Sequence, residues 1–257
     1  MSLLSRWSAH GRAETRRVKL AARAGEVAGA EALHTYLATP PPAPDVDVSE
    51  LPILAVDMET TGLDPKRDRL LSIGWVALDG LEIDLSSAGH VFIRPETSDA
   101  AVPGGGGDGS ETSVDEGVGQ SATVHGLTDD ALAAGVRLSE AVERLLAALT
   151  GRVMLVHFAP IETGFLDAAC RSLYGVGAPV TCLDTLELQR RLLTGGSDAA
   201  LPAGALRLAA ARETLGLPRY GAHEALTDAL ACAELYLAQI ARLTGDARMP
   251  LRNLTRL

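Results

Sequence analysis

Aromatic residues are scarce: Phe, Tyr and Trp together make up 4% of the 257 residues. The core must therefore be filled by Ala, Leu and Val. A broad aromatic platform is excluded as the main means of holding nucleic acid bases. Cysteine is scarce too. Cys170, Cys182 and Cys232 lie far apart with no CxxC spacing, so each is expected as a small reduced apolar residue rather than a metal ligand or half of a disulfide. No run of about 18 apolar residues occurs, so no membrane span is expected. The charged N-terminus lacks the apolar stretch of a secretory signal. A reducing cytoplasm is the expected compartment. Positive charge is in deficit, with a net charge of −10. That argues against passive coating of nucleic acid, which needs clustered Lys and Arg. It is compatible with an enzyme that reaches phosphate through bound cations.

What charge there is of positive sign gathers at the front. Residues 1–23 hold Arg6, Arg12, Arg16, Arg17, Lys19 and Arg23 against Glu14 alone. Residues 1–38 read as one or two polar-rich helices forming a basic extension, weakened by Gly25 and Gly29. Repeated proline marks residues 39–50 as an extended linker. The main unit is expected over 51–245, with a tail at 246–257. Within it, Ile53–Asp57 is an apolar run ending at an acid, read as a buried strand entering the Thr60–Gly62 turn. Leu70–Leu78, Leu81–Leu85 and His90–Ile93 read as further strands, with Asp79-Gly80 as a hairpin turn. Val153–His157 and Val180–Leu183 complete the strands. Helical spacing marks Leu138–Leu149, the stretch around Phe165 and Leu166, the residues up to Leu193, Ala205–Leu215 and a last helix through Leu226, Leu230, Leu237 and Ile240. Residues 97–120 are Gly-, Ser-, Asp- and Glu-rich and are expected as a mobile loop. Antiparallel strands followed by alternating strand and helix predict an α/β fold: a mixed sheet with helices on both faces.

Three short segments carry chemistry. In Asp57-Met58-Glu59 the two acids share a face of the strand, because side chains alternate. Like charges so close raise each other's pKa unless a cation lies between them. Glu162 falls just after a strand, where a helix start would favour an acid in any case. Asp228 follows His223 by five residues, which on one helix would separate them by about 140°. They can face one cleft only if His223 precedes the helix, as Tyr220-Gly221 allows. Asp184-Thr185 reads as a cap for the helix that follows it.

Taken together, Asp57-Met58-Glu59-Thr60-Thr61-Gly62 resembles the D-x-E-T-T-G motif of the DEDD superfamily of 3′–5′ exonucleases, in its DEDDh branch. That branch includes the epsilon proofreading subunit of bacterial DNA polymerase III, ribonuclease T and oligoribonuclease. His223 to Ala229 resembles its H-x-A-x-x-D-A motif, and His125-Gly126-Leu127-Thr128 resembles an H-G-I-T element of epsilon-like members. The resemblance covers about residues 51–242. One motif departs. Where the family reads H-N-A-x-F-D-x-x-F-L, this chain keeps His157, Ala159, Phe165 and Leu166, but has Phe158 for Asn, Ile161 for Phe and Glu162 for Asp. Glu is still a hard oxygen ligand, one methylene longer. Asp167 is the alternative ligand, towards another helix face.

The resemblance implies a ribonuclease-H-like fold and a two-Mg²⁺ phosphodiesterase, with Mn²⁺ as a substitute. It implies that Asp57, Glu59 and Asp228 hold one ion and that Asp57 with Glu162 supports the other. His223 is then the general base. Thr60, Thr61, Leu63 and His125 are the implied substrate contacts; for the threonines, a turn with local hydroxyl bonds is the competing reading. The implied partners are single-stranded or frayed 3′ ends of DNA or RNA, with residues 1–50 as a candidate contact for a protein. The alternative function is a catalytically weakened adaptor that keeps the fold, which the changes at 158 and 162 favour.

Overall fold

A computed structural model describes residues 3–95, 129–197, 199–221, 224–245 and 247–255, with side chains in the first helix described from Ala13 onward. The expected loop 97–120 lies outside the described residues. Five strands form one sheet: β1 (Pro52–Thr60), β2 (Leu70–Asp79), β3 (Glu82–Phe92), β4 (Val153–Val156) and β5 (Cys182–Asp184). Their spatial order is β3-β2-β1-β4-β5. The pairs β1–β2 and β2–β3 are antiparallel, whereas β1–β4 and β4–β5 are parallel. This is the mixed sheet that the alternation of elements predicts.

Helices cover both faces. They are α1 (Leu3–Ala24), α2 (Glu31–Ala38), α3 (Asp129–Ala133), α4 (Leu138–Leu149), α5 (Ala159–Tyr174), α6 (Thr185–Thr194), α7 (Leu208–Thr214), α8 (Ala225–Thr244) and α9 (Leu251–Leu254). The twofold alternation of β1 decides which helices meet which face. Leu54, Val56 and Met58 join a core with α2, α4 and α5, through residues such as Leu33, Leu145 and Phe165. Ile53 and Ala55 point the other way, into a second core with Cys232, Ala233, Tyr236 and Ile240 of α8.

Two boundaries differ from expectation. The stretches Leu81–Leu85 and His90–Ile93 are not separate strands but parts of β3, which runs unbroken. The pairing slips between Trp75 and Ala77, and the Ser87 hydroxyl accepts the Ala77 amide in place of a backbone carbonyl. A polar side chain thus bridges the irregularity, and polar residues there hid the strand from its apolar pattern. The helix expected over Ala205–Leu215 is shorter, because 201–207 is irregular and forms a wall of the cleft described below.

The N-terminal helices pack against the main core. Ala21, Ala24, Leu33 and Leu37 are buried in the same cluster as α4. Arg17 is buried too and donates to the carbonyls of Tyr36 and Thr39, which the end of α2 leaves unpaired. The proline-rich stretch is fastened at its far end: Leu251 N–H donates to the Val46 carbonyl and Met249 N–H to the Asp47 carboxylate. No helix among the described residues is long and apolar enough to cross a membrane. Leu33→Ala, fully buried in α2, should cost about 2–5 kcal/mol in a urea titration. An unchanged midpoint would mean that the N-terminal helices add nothing to the core.

Candidate active site

The site begins with strand alternation. Asp57 and Glu59 fall on the face of β1 that carries Ile53 and Ala55, which is the face covered by α8. Opposite Asp57 on β2 stands Gly74. A Cβ at Gly74 would lie 2.2 Å from the backbone carbon of Ala225 and the amide nitrogen of Leu226. The first turn of α8 therefore rests directly on the β2 backbone, which only glycine permits. That seating brings Asp228, in the same first turn, over the end of β1. Carboxylate oxygens of Asp57, Glu59 and Asp228 lie within 4.8 Å of one another.

Glu162 arrives from another direction, in the first turn of α5 immediately after β4. It is 4% exposed, and its Oε2 has no hydrogen-bond partner among the described residues. Its charge reaches Asp57. Burial, and then the charges of Glu162, Asp228, Glu59 and Glu224, push the Asp57 carboxyl well above the usual carboxylate range. Burial, with Asp228 and Glu224 adding to it, pushes Glu59 up to about 7. Burial also pushes Glu162 up to about 8, against the opposing pull of its own amide. Four acids gathered in one place, Glu59 and Glu162 buried and Asp57 and Asp228 half-buried, destabilise one another unless a cation joins them. The donors are all oxygen, the set that Mg²⁺ and Mn²⁺ take, and the unpartnered Glu162 oxygen is an unused ligand atom. The residues present fit a divalent ion. Asp167 does not share this pocket: it pairs with Arg171 at the surface, 2.6 Å from Nε to Oδ2.

The surrounding side chains hold the acid-bearing elements in place. Asp184 caps α6, as expected, accepting from Leu186 N–H at 2.9 Å. It also accepts from the amides of Phe158 and Ala159, at 3.0 and 2.8 Å, and so fixes the start of α5. The His157 ring bonds Thr185 Oγ1 through Nδ1 and the Leu206 carbonyl through Nε2, each at 2.8 Å, tying β4 to the 201–207 wall. Arg212, buried in α7, donates to the Ala231 and Pro218 carbonyls and to Glu234, and lies against the Tyr220 ring. This secures the loop leading towards His223.

The expected substrate contacts divide. The Thr60 hydroxyl donates to the Gly62 carbonyl at 2.6 Å, and the Thr61 hydroxyl accepts from Arg69 N–H at 2.9 Å, so both serve the local turn. Leu63 is 76% exposed and lines a cleft shared with Asp228. His223 and His125 lie outside the described residues. Two contributors were not singled out from sequence. Gly74 is one, and a glycine inside an apolar strand is a signal of close backbone approach. Glu224 is the other. It caps α8 by accepting from Thr227, and its Oε1 meets His90 Nδ1 at 2.9 Å. His90 stands opposite Gly74 on β3, so Asp57, Gly74 and His90 form one row beneath the start of α8. Burial outweighs Glu224 and lowers the His90 pKa. No short motif signals a pair so far apart in the chain.

Residues 118–236 match a family model described as Exonuclease, of the RNase_T family. The chain is 25% identical over 193 residues to the PolC-type DNA polymerase III of Thermotoga maritima, covering 75% of this chain but 12% of that protein. It is 29% identical over 194 residues to the DNA polymerase III subunit epsilon of Pasteurella multocida, covering 72% of this chain and 66% of that one. Among solved structures, the nuclease domain of 3′hExo, a DEDDh family member bound to rAMP, superposes with a TM-score of 0.56 at 15% identity. That superposition covers 77% of this chain and 95% of that one, and shows the fold. The family model and the epsilon relatives agree with the exonuclease motifs of the sequence, and the structural neighbour shows the fold.

Two outcomes test the geometry. The raised carboxyls keep protons in the folded state that the unfolded chain releases near its ordinary value of 4.5. Folded protein then binds more protons than unfolded between about pH 4.5 and 8, so stability falls as pH rises through that window. Melting temperature without metal should drop from pH 5 to pH 8, and Mg²⁺ or Mn²⁺ should restore it at pH 8; a flat profile contradicts the buried cluster. Gly74→Ala should force α8 off its seat, lowering stability by about 1–3 kcal/mol and weakening divalent-ion binding. Wild-type metal affinity in a folded Gly74→Ala protein would show that this contact does not place Asp228.

Proposed function

We propose that this chain is a two-metal-ion 3′–5′ exonuclease, removing nucleotides from single-stranded or frayed 3′ ends of DNA or RNA. The observation that carries the reading is the convergence of Asp57, Glu59 and Asp228 within 4.8 Å, with buried Glu162 acting on Asp57. Asp57, Glu59 and Asp228 would hold one Mg²⁺, and Asp57 with Glu162 would support the second; Mn²⁺ fits the same oxygen donors. Such an ion pair, when bound, supplies an activated water, an electrophilic phosphorus and relief of charge on the leaving oxygen. His223 takes the proton from the water, a task for which an imidazole is suited near neutral pH. Its neighbours support that role. Arg212 fixes the loop before it, and Glu224, next in the chain, is tied to Thr227 and His90. Leu63, exposed in the cleft that Asp228 also lines, lies against the terminal base. The family model matched by residues 118–236, described as Exonuclease, agrees with this activity.

A weakened, adaptor-like protein is the second reading, favoured by Glu162 in place of the family's Asp. Cleavage of 5′-labelled oligonucleotides with Mg²⁺, Mn²⁺ or EDTA separates the two. The expected result is a ladder of shortened 5′-labelled products with either metal and none in EDTA. His223→Ala should cut turnover by roughly 10²- to 10⁴-fold while divalent-ion binding survives. Oligonucleotide binding without cleavage in any metal would favour the adaptor.

A further inference from the structure

Phe158 stands out on two counts, its backbone and its exposure. Its backbone is left-handed, at φ 93 and ψ 71, and it is the only non-glycine residue with positive φ among the described residues. That conformation is costly for a bulky residue and persists only where its surroundings impose it. The imposing group is Asp184, whose two carboxylate oxygens take the Phe158 and Ala159 amides. The side chain itself is 45% exposed, although the chain holds only three phenylalanines, and Phe165 is buried. Phe158 belongs to neither apolar core. Packing therefore does not explain why a strained position carries a large aromatic ring.

The ring's surroundings do. Phe158 lines a cleft of about 1400 Å³ that also includes Asp228, Leu63, Tyr220 and Arg207. This is larger than the roughly 300–1,000 Å³ that suits a compact small molecule. The cleft runs on from the acid cluster, since Asp228 lines it. The bond from His157 Nε2 to the Leu206 carbonyl fastens its far wall to the residue just before Phe158. Arg207 lines it as well, together with Arg190 and Arg219, which pair with Glu187 and Glu213. A groove with an exposed ring, an exposed leucine and arginines, opening onto a carboxylate cluster, is complementary to a flexible strand of stacked bases and phosphates.

We propose that Phe158 is a stacking platform for a base of the substrate strand upstream of the nucleotide being removed. Its role is to set the preference for unpaired strands over single nucleotides. This rests on the exonuclease reading. The enzyme then holds the 3′ end by metal-linked phosphate and the next unpaired base by one ring. A paired base cannot reach that ring without leaving its duplex.

The test compares two substrates: the p-nitrophenyl ester of thymidine 5′-monophosphate, with one base, and an oligothymidylate of about ten nucleotides. Phe158→Asn removes the ring with a residue that tolerates the left-handed backbone. The ratio of kcat/KM for the oligonucleotide over the ester should fall about 5- to 150-fold, with the loss in the oligonucleotide KM. Phe158→Tyr should restore the ratio. A ratio unmoved by Phe158→Asn, whether or not both activities fall, overturns the proposal. If the wild-type protein hydrolyses neither substrate, the nuclease reading fails instead. The platform is then judged by binding of the fluorescein-labelled oligonucleotide in Ca²⁺: a dissociation constant raised at least 5-fold by Phe158→Asn supports it, and an equal one overturns it.

Discussion

Mutual repulsion among buried carboxylates is the constraint around which this molecule is organised. Asp57, Glu59, Asp228 and Glu162 come from three separate elements, and each raises the cost of ionising its neighbours or is itself raised by burial. A fold gains nothing from such a cluster unless a cation completes it. The rest of the structure opposes the repulsion mechanically. Two apolar cores clamp the sheet from both sides, so the strand end that bears Asp57 and Glu59 cannot move away from α8.

The contacts that do this are backbone contacts more than side-chain ones. Gly74 lets the first turn of α8 sit on β2, and Ala225 and Ala229 are fully buried along the same stripe as Asp228. Larger residues at these places would lift the helix and carry Asp228 out of reach. Asp184 does the equivalent for Glu162, since its carboxylate fixes the amides that open α5. Both acids contributed by helices thus lie one turn in from an end that a specific group immobilises. Metal sites work only when their ligands are held by a second layer of this sort.

Much of this was legible in the sequence. Alternation along Ile53–Glu59 placed both acids on one face, and helical spacing located α4 and α8. The polar interior of β3 was not legible, because Ser87 substitutes for a backbone partner and the apolar pattern lapses there. Residues 205–207 of the irregular wall were read as the start of a helix, whereas the chain there is held instead by His157. Gly74 carried a signal that a close reading of strand glycines would have used. The His90–Glu224 pair carried none, as its partners meet only once the sheet and α8 are in place. The departure at Phe158 was visible as a mismatch with a motif, but its left-handed backbone and exposure are properties of the fold alone.

The reading proposed for this site requires that these four acids share a pair of divalent ions. Anomalous diffraction from crystals soaked in Mn²⁺ addresses it directly. Two peaks are expected roughly 3.5–4 Å apart, one among Asp57, Glu59 and Asp228 and the other between Asp57 and Glu162. Ordered carboxylates at these positions without a peak between them, at a Mn²⁺ concentration that binds elsewhere on the protein, would contradict it.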